Sequence, residues 1–261
     1  MLGQLIAVGS RSLVYAWGSD AVAKVPLPST PEGWIRFESA YAEAVFHCGA
    51  SVPRALGLEI VDGREVAIFE RIDGVSMWDA LTRRESEAAA FGRDLGELHA
   101  SLLAIVAPVT LPTQHARLTS KIFAASREVD VTLSRVLALL PDSAAGSLCH
   151  GDFHPKNIVI GARGLVVVDW FDACRGSPCG DVARTSLLLS PRRRTGTRPN
   201  HLPGASQHVL DELHDNYLTS VRSHVSFSDD DLERWMYIGA AARLAEGVEQ
   251  EPLLSFLEGY R

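Results

Sequence analysis

The sequence predicts an α+β fold of two lobes, a small β-rich one over residues 1–73 and a larger, mainly helical one over 74–261. Three observations carry this expectation. Short β-rich runs separated by turn residues fill the first quarter of the chain, and the texture turns helical after Asp73-Gly74. The third is the chain's size and composition: 261 residues, 46% hydrophobic and 22% charged, suit one domain or two modest lobes and exclude whole-chain disorder.

Gln4–Val8, Ser12–Trp17 and Ala21–Val25 read as strands punctuated by Gly9-Ser10 and Gly18-Ser19-Asp20. Pro26, Pro28 and Pro31 end that pattern and lead into a helix over Glu32–His47, where Trp34, Phe37, Tyr41 and Val45 recur at helical spacing. Ala55–Val61 and Glu65–Glu70 follow as a hairpin turning at Asp62-Gly63. Ser76–Arg84, Glu85–Ile105 and Ala116–Leu140 then read as helices. A β island at Asn157–Asp169 turns at Gly161-Ala162-Arg163-Gly164. Helices resume over Asp181–Leu189, Ser206–Ser223, Ser228–Ala245 and Pro252–Tyr260. Ser228 is the expected N-cap of its helix, with Asp229, Asp230 and Asp231 in the first turn, where the helix dipole favours anions. Ser190–Gly204, rich in arginine and proline, reads as a surface loop.

The formal charge of −7 is a poor match for nucleic-acid binding, which needs a basic surface against phosphates. No stretch approaches the roughly 18 apolar residues of a spanning helix, and residues 1–10 lack the features of a signal peptide. The expectation is a cytoplasmic protein with neither nucleic-acid nor membrane partners. Four cysteines are too few for a disulfide scaffold at this length. Cys174 and Cys179, beside His150 and His154, lack the paired spacing of a zinc site.

The most informative string is His150-Gly151-Asp152-Phe153-His154-Pro155-Lys156-Asn157, followed by Val166-Val167-Val168-Asp169-Trp170. An aspartate in a tight polar loop can accept a proton from a substrate hydroxyl. An asparagine shortly after it and an aspartate at the end of the next strand offer hard oxygen ligands suited to Mg2+. Asp152, Asn157 and Asp169, set around a β-hairpin expected to bring them to one end, are the set that phosphoryl transfer needs. A lone loop aspartate is usually a turn or cap residue, but three such residues beside H-G-D-x-H-P are harder to read that way. The H-x-D-x-H run of His150, Asp152 and His154 also admits a metal-dependent hydrolase, which leaves the other motifs unexplained.

These strings resemble the aminoglycoside phosphotransferases and their antibiotic- and metabolite-kinase relatives, which share the protein-kinase-like fold. The resemblance is carried by CHGDFHPKN at 149–157, VVVDW at 166–170, GSPCGDVART at 176–185, LGELHASL at 95–102 and SVPRALG at 51–57. It implies a nucleotide-binding N-lobe over 1–73, and a C-lobe over 74–261 with the catalytic loop, metal site and acceptor site. It further implies Asp152 as catalytic base, Asn157 and Asp169 as Mg2+ ligands, and His150 and Asp181 as braces of the catalytic loop. Lys24 resembles the family's phosphate-contacting lysine, which an acid on the following helix holds in place. Glu38 and Glu43 are the candidates, and family spacing ahead of Val52-Pro53 prefers Glu38. Gly9-Ser10-Arg11-Ser12 fits a reduced phosphate loop, with Ser10 and Ser12 as donors to phosphate, and fits an ordinary hairpin equally well. In the Glu70-Arg71-Ile72 linker, the backbone of Glu70 and Ile72 would meet the adenine edge. Such recognition leaves ATP and GTP unseparated.

On the acceptor side, Asp172 follows the Asp169 ligand closely, and Arg243 and Glu246 stand at i, i+3, a spacing that also makes a local helix ion pair. Arg192-Arg193-Arg194 reads as solvated loop. Residues 205–261 hold eleven acids and four bases, while the charges of the first 204 residues cancel. That excess tilts the expected acceptor toward a cation. The expected activity is Mg2+-assisted transfer of the γ-phosphoryl group of ATP or GTP to a hydroxyl of a small, cationic, aminoglycoside-type molecule, by a monomer or weak homodimer. A choline-, sugar- or amino-alcohol-type metabolite kinase is the alternative, and the reduced glycine loop also motivates a nucleotide-binding pseudokinase.

Overall fold

The computed structural model describes residues 2–125, 133–141, 146–189, 202–246 and 250–259. The chain forms two compact units, one from Met1–Val75 with Asn157–Asp172, the other from Ser76–Lys156 with Ala173–Arg261.

In the first unit, β1 (Leu5–Val8), β2 (Ser12–Trp17), β3 (Ala21–Pro26), β4 (Ala55–Val61) and β5 (Arg64–Glu70) form an antiparallel sheet in the order β1-β2-β3-β5-β4. Asp62 and Gly63 both take positive φ, 50° and 74°, as a two-residue hairpin turn between twisted strands requires. Strand alternation sorts β3 by face. Ala21 and Ala23 pack with Val66, Ile68 and Trp17 in one core, and Lys24 points the opposite way.

Helix α1 (Trp34–His47) buries Trp34, Ile35, Glu38, Ser39, Ala42 and Val45. The expected Trp34-Phe37-Tyr41-Val45 stripe is therefore rotated. Phe37 is 56% exposed, its ring 6.0 Å from that of Tyr41, because the buried face admits Glu38 and its lysine partner instead.

The hairpin of β8 (Ile158–Gly161) and β9 (Gly164–Val167) joins β6 (Gly74–Ser76) in a three-stranded sheet. It also ties to Ser51, whose carbonyl accepts the Val167 amide at 2.9 Å and whose hydroxyl donates to the Leu165 carbonyl at 2.9 Å. A Cβ at Gly74 would stand 2.3 Å from the Ile160 oxygen, so that close approach requires glycine. These bonds place residues 157–172 with the first unit, whereas the sequence expectation ran the second lobe unbroken from 74 to 261.

The second unit is mainly helical: α2 (Met77–Arg83), α3 (Ala88–Leu103), α4 (Gln114–Ala125), α5 (Leu133–Leu139), α6 (Pro178–Leu189), α7 (Gln207–Arg222), α8 (Asp229–Arg243) and α9 (Gln250–Gly259). Short 3-10 turns at Glu85–Glu87 and Leu244–Glu246 precede α3 and follow α8. Ser76, Ser206 and Ser228 cap α2, α7 and α8, each side chain accepting the amide three residues on. The single helix expected over 116–140 is described as two, α4 and α5, with residues 126–132 outside the described set. Residues 190–201, and with them Arg192, Arg193 and Arg194, also lie outside it.

Two short strands, β7 (Ser147–Cys149) and β10 (Cys174–Gly176), pair antiparallel with Cys149 opposite Cys174. From Cys179 to Leu189, α6 is buried on every side except at Arg184. No described helix is long and apolar enough to cross a membrane.

Candidate active site

In the first unit, the Lys24 ammonium forms an ion pair with Glu38 Oε1 and donates to Asp169 Oδ1 at 3.1 Å. Their side chains are 12%, 3% and 45% exposed respectively. The Trp34 ring lies 5.2 Å from the ammonium and packs on Phe171 at 4.9 Å, adding a cation–π contact. Glu43 is exposed on α1, so the acid that meets Lys24 is Glu38.

Burial opposes the charge on Lys24, but Asp169 and Glu38 more than offset it and hold the ammonium above the ordinary lysine range. Burial pushes the Glu38 carboxyl up to about 7, against the pull of Lys24 and with the Asp169 charge adding to the rise. One cation thus serves two carboxylates.

Asp169 takes φ 68°, a left-handed conformation costing a non-glycine residue about 1–3 kcal/mol. Such strain persists where neighbours dictate it. Trp170 Nε1 donates to the Val167 carbonyl at 2.9 Å, and the Val168 amide donates to the Asn157 carbonyl at 2.9 Å. That second bond sets Asn157 and Asp169 at the same end of the β8–β9 hairpin. An amide oxygen and a half-exposed carboxylate form a hard donor set that fits Mg2+.

The β1–β2 turn is closed by the Gly9 amide donating to the Ser12 carbonyl at 2.8 Å. Ser10 is exposed at its tip, and Ser12 is buried at the start of β2. At the end of β5, the Glu70 amide donates to the Arg54 carbonyl and the Arg71 amide to the Asp20 carbonyl, both at 2.9 Å. The Glu70 carboxylate also accepts the Arg54 amide at 3.2 Å and meets Arg163 at 3.1 Å. Ile72 is half-buried, with a methyl 3.3 Å from where a Gly161 Cβ would stand. Asp172 is half-buried at the end of the same unit.

In the second unit, the buried Asp181 of α6 organises the His150–Asp152 loop. Its two oxygens accept the amides of His150 at 2.6 Å and Gly151 at 2.8 Å. Gly151 has φ 78°, a value suited to glycine, and the Asp152 amide donates to His150 Nδ1 at 3.2 Å. Asp181 also meets His99 Nε2 at 3.1 Å, and His99 Nδ1 lies 2.8 Å from the Tyr217 hydroxyl. An ionised carboxylate accepts, so Nε2 donates to Asp181. The imidazole stacks on Phe153 at 4.2 Å. Burial works against the charge of Asp181, but His99, His150 and the Gly151 amide hold the carboxyl below its ordinary range.

Arg184 lies one helical turn beyond Asp181. Its Nη2 meets Asp152 Oδ1 at 3.0 Å, its Nε donates to the Gly151 carbonyl at 3.2 Å, and its Nη1 meets Glu246 Oε2 at 3.0 Å. His154 Nε2 approaches the other Asp152 oxygen at 3.4 Å, while its Nδ1 accepts the Lys156 amide at 3.2 Å. Burial would raise the Asp152 carboxyl, but His154, Arg184 and His150 hold it well below the usual carboxylate range.

Glu246 is shared with Lys121 at 3.1 Å. Arg243 is buried and donates to the Leu187 carbonyl at 2.8 Å, with its Nε 3.8 Å from Glu246. Burial, with the neighbouring Arg184 charge, pushes its pKa down to about 10. Arg243 and Glu246, two of the three residues expected at the acceptor, are thus engaged with Leu187 and Arg184 respectively.

Both ring nitrogens of His154 are engaged, and among the described residues no group of three His, Cys, Asp or Glu side chains is set to hold a metal. The four cysteines form no disulfide.

Residues 3–207 match the phosphotransferase enzyme family (APH), and the chain belongs to that family, whose members are kinases acting on hydroxyls of small molecules. The fold is similar to that of a thermostable mutant of aminoglycoside phosphotransferase APH(4)-Ia, with TM-score 0.66 and 16% identity over 98% of this chain and 94% of that one. It is also similar to amicoumacin kinase hAmiN in complex with AMP-PNP, Ca2+ and Ami, with TM-score 0.60 and 12% identity over 98% and 85%. A choline/ethanolamine kinase family protein from Mesorhizobium loti matches with TM-score 0.56 and 18% identity over 98% and 85%. No curated sequence matches the chain significantly.

Sequence reasoning assigned no role to His99, Tyr217, Arg184 or Lys121. His99 sits in the buried stripe of α3 with Leu95, Leu102 and Leu103, where a histidine reads as core. Only its LGELHASL context marked it. Arg184 lies inside the GSPCGDVART string, and nothing in the spacing ties it to Asp152.

Proposed function

We propose that the protein moves the γ-phosphoryl group of a nucleoside triphosphate to a hydroxyl of a small molecule. The observation that carries this is the Lys24 ammonium held between Glu38 and Asp169, an arrangement suited to gripping phosphates. In this reading Lys24 aligns the phosphates, with Ser10, Ser12 and the linker backbone at Ile72 completing the nucleotide contacts. Asn157 and Asp169 hold Mg2+, which when bound neutralises charge on the transferring group. Asp152 orients the acceptor hydroxyl and takes its proton. His150 and Asp181 fix the loop that presents it, and Asp172 stands among the candidates for acceptor contact.

The first acceptor class is a cationic, aminoglycoside-type molecule, with antibiotic inactivation as the role; the acid excess of residues 205–261 supports it. Many of those acids have other partners. Asp231 bonds its own cap Ser228, Asp229 pairs with Arg222, and Glu246 pairs with Arg184 and Lys121. A hydroxyl-bearing amino alcohol, the choline type, is the second class, and the fold shared with the choline/ethanolamine kinase family protein favours it. Nucleotide dependence and four unbridged thiols suit a cytoplasmic location.

ADP release from MgATP and MgGTP across aminoglycosides, peptide antibiotics, sugars and amino alcohols tests the reading. At least one acceptor should stimulate release, and Asp152→Ala should abolish the stimulation while nucleotide binding persists. Nucleotide binding without turnover on any acceptor, as a pseudokinase would show, overturns it.

A further inference from the structure

The catalytic loop is held at two levels, and both holds come from one face of α6. Asp181 fixes the loop backbone by accepting the His150 and Gly151 amides. Arg184, at i+3 on the same helix, reaches the Asp152 side chain. Hydrogen-bonding the amides around an aspartate leaves its own side-chain torsions unset, so a second constraint is needed to aim the carboxylate. Guanidinium suits that task because its N–H groups form a rigid planar fork. Here the fork is used at three acceptors, Asp152 Oδ1, the Gly151 carbonyl and Glu246 Oε2. Glu246 approaches from the turn after α8 and is itself gripped by Lys121 of α4.

We propose that Arg184 is a positioning residue that aims the Asp152 carboxylate, and that Glu246 fixes the orientation of Arg184. The inference rests on the phosphotransferase reading of Asp152. It gives Glu246 a purpose other than touching the acceptor: it anchors the guanidinium through Nη1, leaving Nη2 to the base. The titratable and charged groups around Asp152 are then His150 and His154 from its own loop, Arg184 from α6, and Arg243 and Glu246 from the end of α8 and the turn beyond, with Lys121 behind Glu246. A carboxylate so paired is a weak base. Phosphoryl transfer accepts a weak base, because a loose transition state asks chiefly for placement of the attacking oxygen.

The test is ADP release from MgATP with water as the acceptor, measured for wild type, Arg184→Met, Arg184→Ala, Arg184→Lys, Glu246→Gln and Asp152→Asn, each with its Tm. Arg184→Met should lower kcat by about a hundredfold, the cost of a misplaced reacting group, with KM for ATP within about twofold of wild type. Added methylguanidine should restore part of the rate of Arg184→Ala. Arg184→Lys should recover less, since an ammonium lacks the planar fork. Glu246→Gln should lose kcat more mildly, again at constant KM.

A wild-type kcat in Arg184→Met overturns the proposal. So does a loss that follows the fraction unfolded and resists methylguanidine, because that marks a purely structural role. A wild type no faster than Asp152→Asn overturns the phosphotransferase reading of Asp152, and the role of Arg184 with it.

Discussion

Lys24 and Glu38 meet across fourteen residues of chain, the ammonium from β3 and the carboxylate from α1, and both side chains are almost fully buried. Glu38 Oε2 finds no hydrogen-bond partner among the described residues, so the acid is held by the lysine alone on one oxygen. Removing one member of such a pair strands the other, at about 3–5 kcal/mol. Lys24→Met should therefore weaken nucleotide binding at least tenfold and also lower stability, read by isothermal titration with ATP and by urea unfolding. Unchanged ATP affinity would remove Lys24 from the nucleotide site.

Asp181 gives a prediction in pH. Its carboxyl lies below the ordinary range in the folded protein and near about 4 in the unfolded chain. The stability it contributes is present above that unfolded value and is lost as pH falls through the folded one. Asp181→Asn should be about 3–5 kcal/mol less stable at pH 7, with a flatter decline toward acid. Parallel stability–pH curves for the two proteins would contradict this.

Asp169→Asn tests the metal assignment. Partners one shell removed from a metal are already worth about 10–100-fold in affinity, so losing a carboxylate ligand should cost at least as much. The Mg2+ concentration for half-maximal ADP release should rise accordingly. No change in the Mg2+ titration would place the ion elsewhere.

The contact of α3 with α7 depends on two glycines. A Cβ at Gly92 would stand 2.4 Å from the Leu213 carbonyl oxygen, and one at Gly96 would stand 2.6 Å from the Ser220 Cβ. Gly92→Ala should cost about 1–3 kcal/mol by forcing the helices apart. Gly146→Ala, where a Cβ meets nothing within 4 Å among the described residues, should be near neutral. Chemical denaturation of the two variants separates these outcomes.

What the sequence disclosed and what it withheld follow a physical line. Strands bounded by Asp62-Gly63 and a helix capped by Ser228 are local events, and the residues that cause them sit beside them. The buried face of α1 departs from the Trp34-Phe37-Tyr41-Val45 stripe because a hydrophobic pattern passes over Glu38, which only the family spacing ahead of Val52-Pro53 marks as the partner of Lys24. Strands β7 and β10 are three residues each, too short for any period to show. His99 and Asp181 stand 82 residues apart, and Arg184 and Asp152 stand 32 apart. Such pairings are made by topology, and only a resemblance to proteins of known fold could point toward them.

The first unit is assembled from residues 1–75 and 157–172. During synthesis, Lys24 and Glu38 exist well before the chain has produced Asp169. At about 5–20 residues per second, the ribosome needs roughly 5–20 s to pass from the first segment to the end of the second. Through that interval the sheet can form, yet Ser51 and Gly74 still wait for the hairpin that covers them. The nascent chain therefore carries an unfinished N-terminal unit while much of the helical one is being made. Premature release anywhere before residue 169 leaves Lys24 without its second carboxylate.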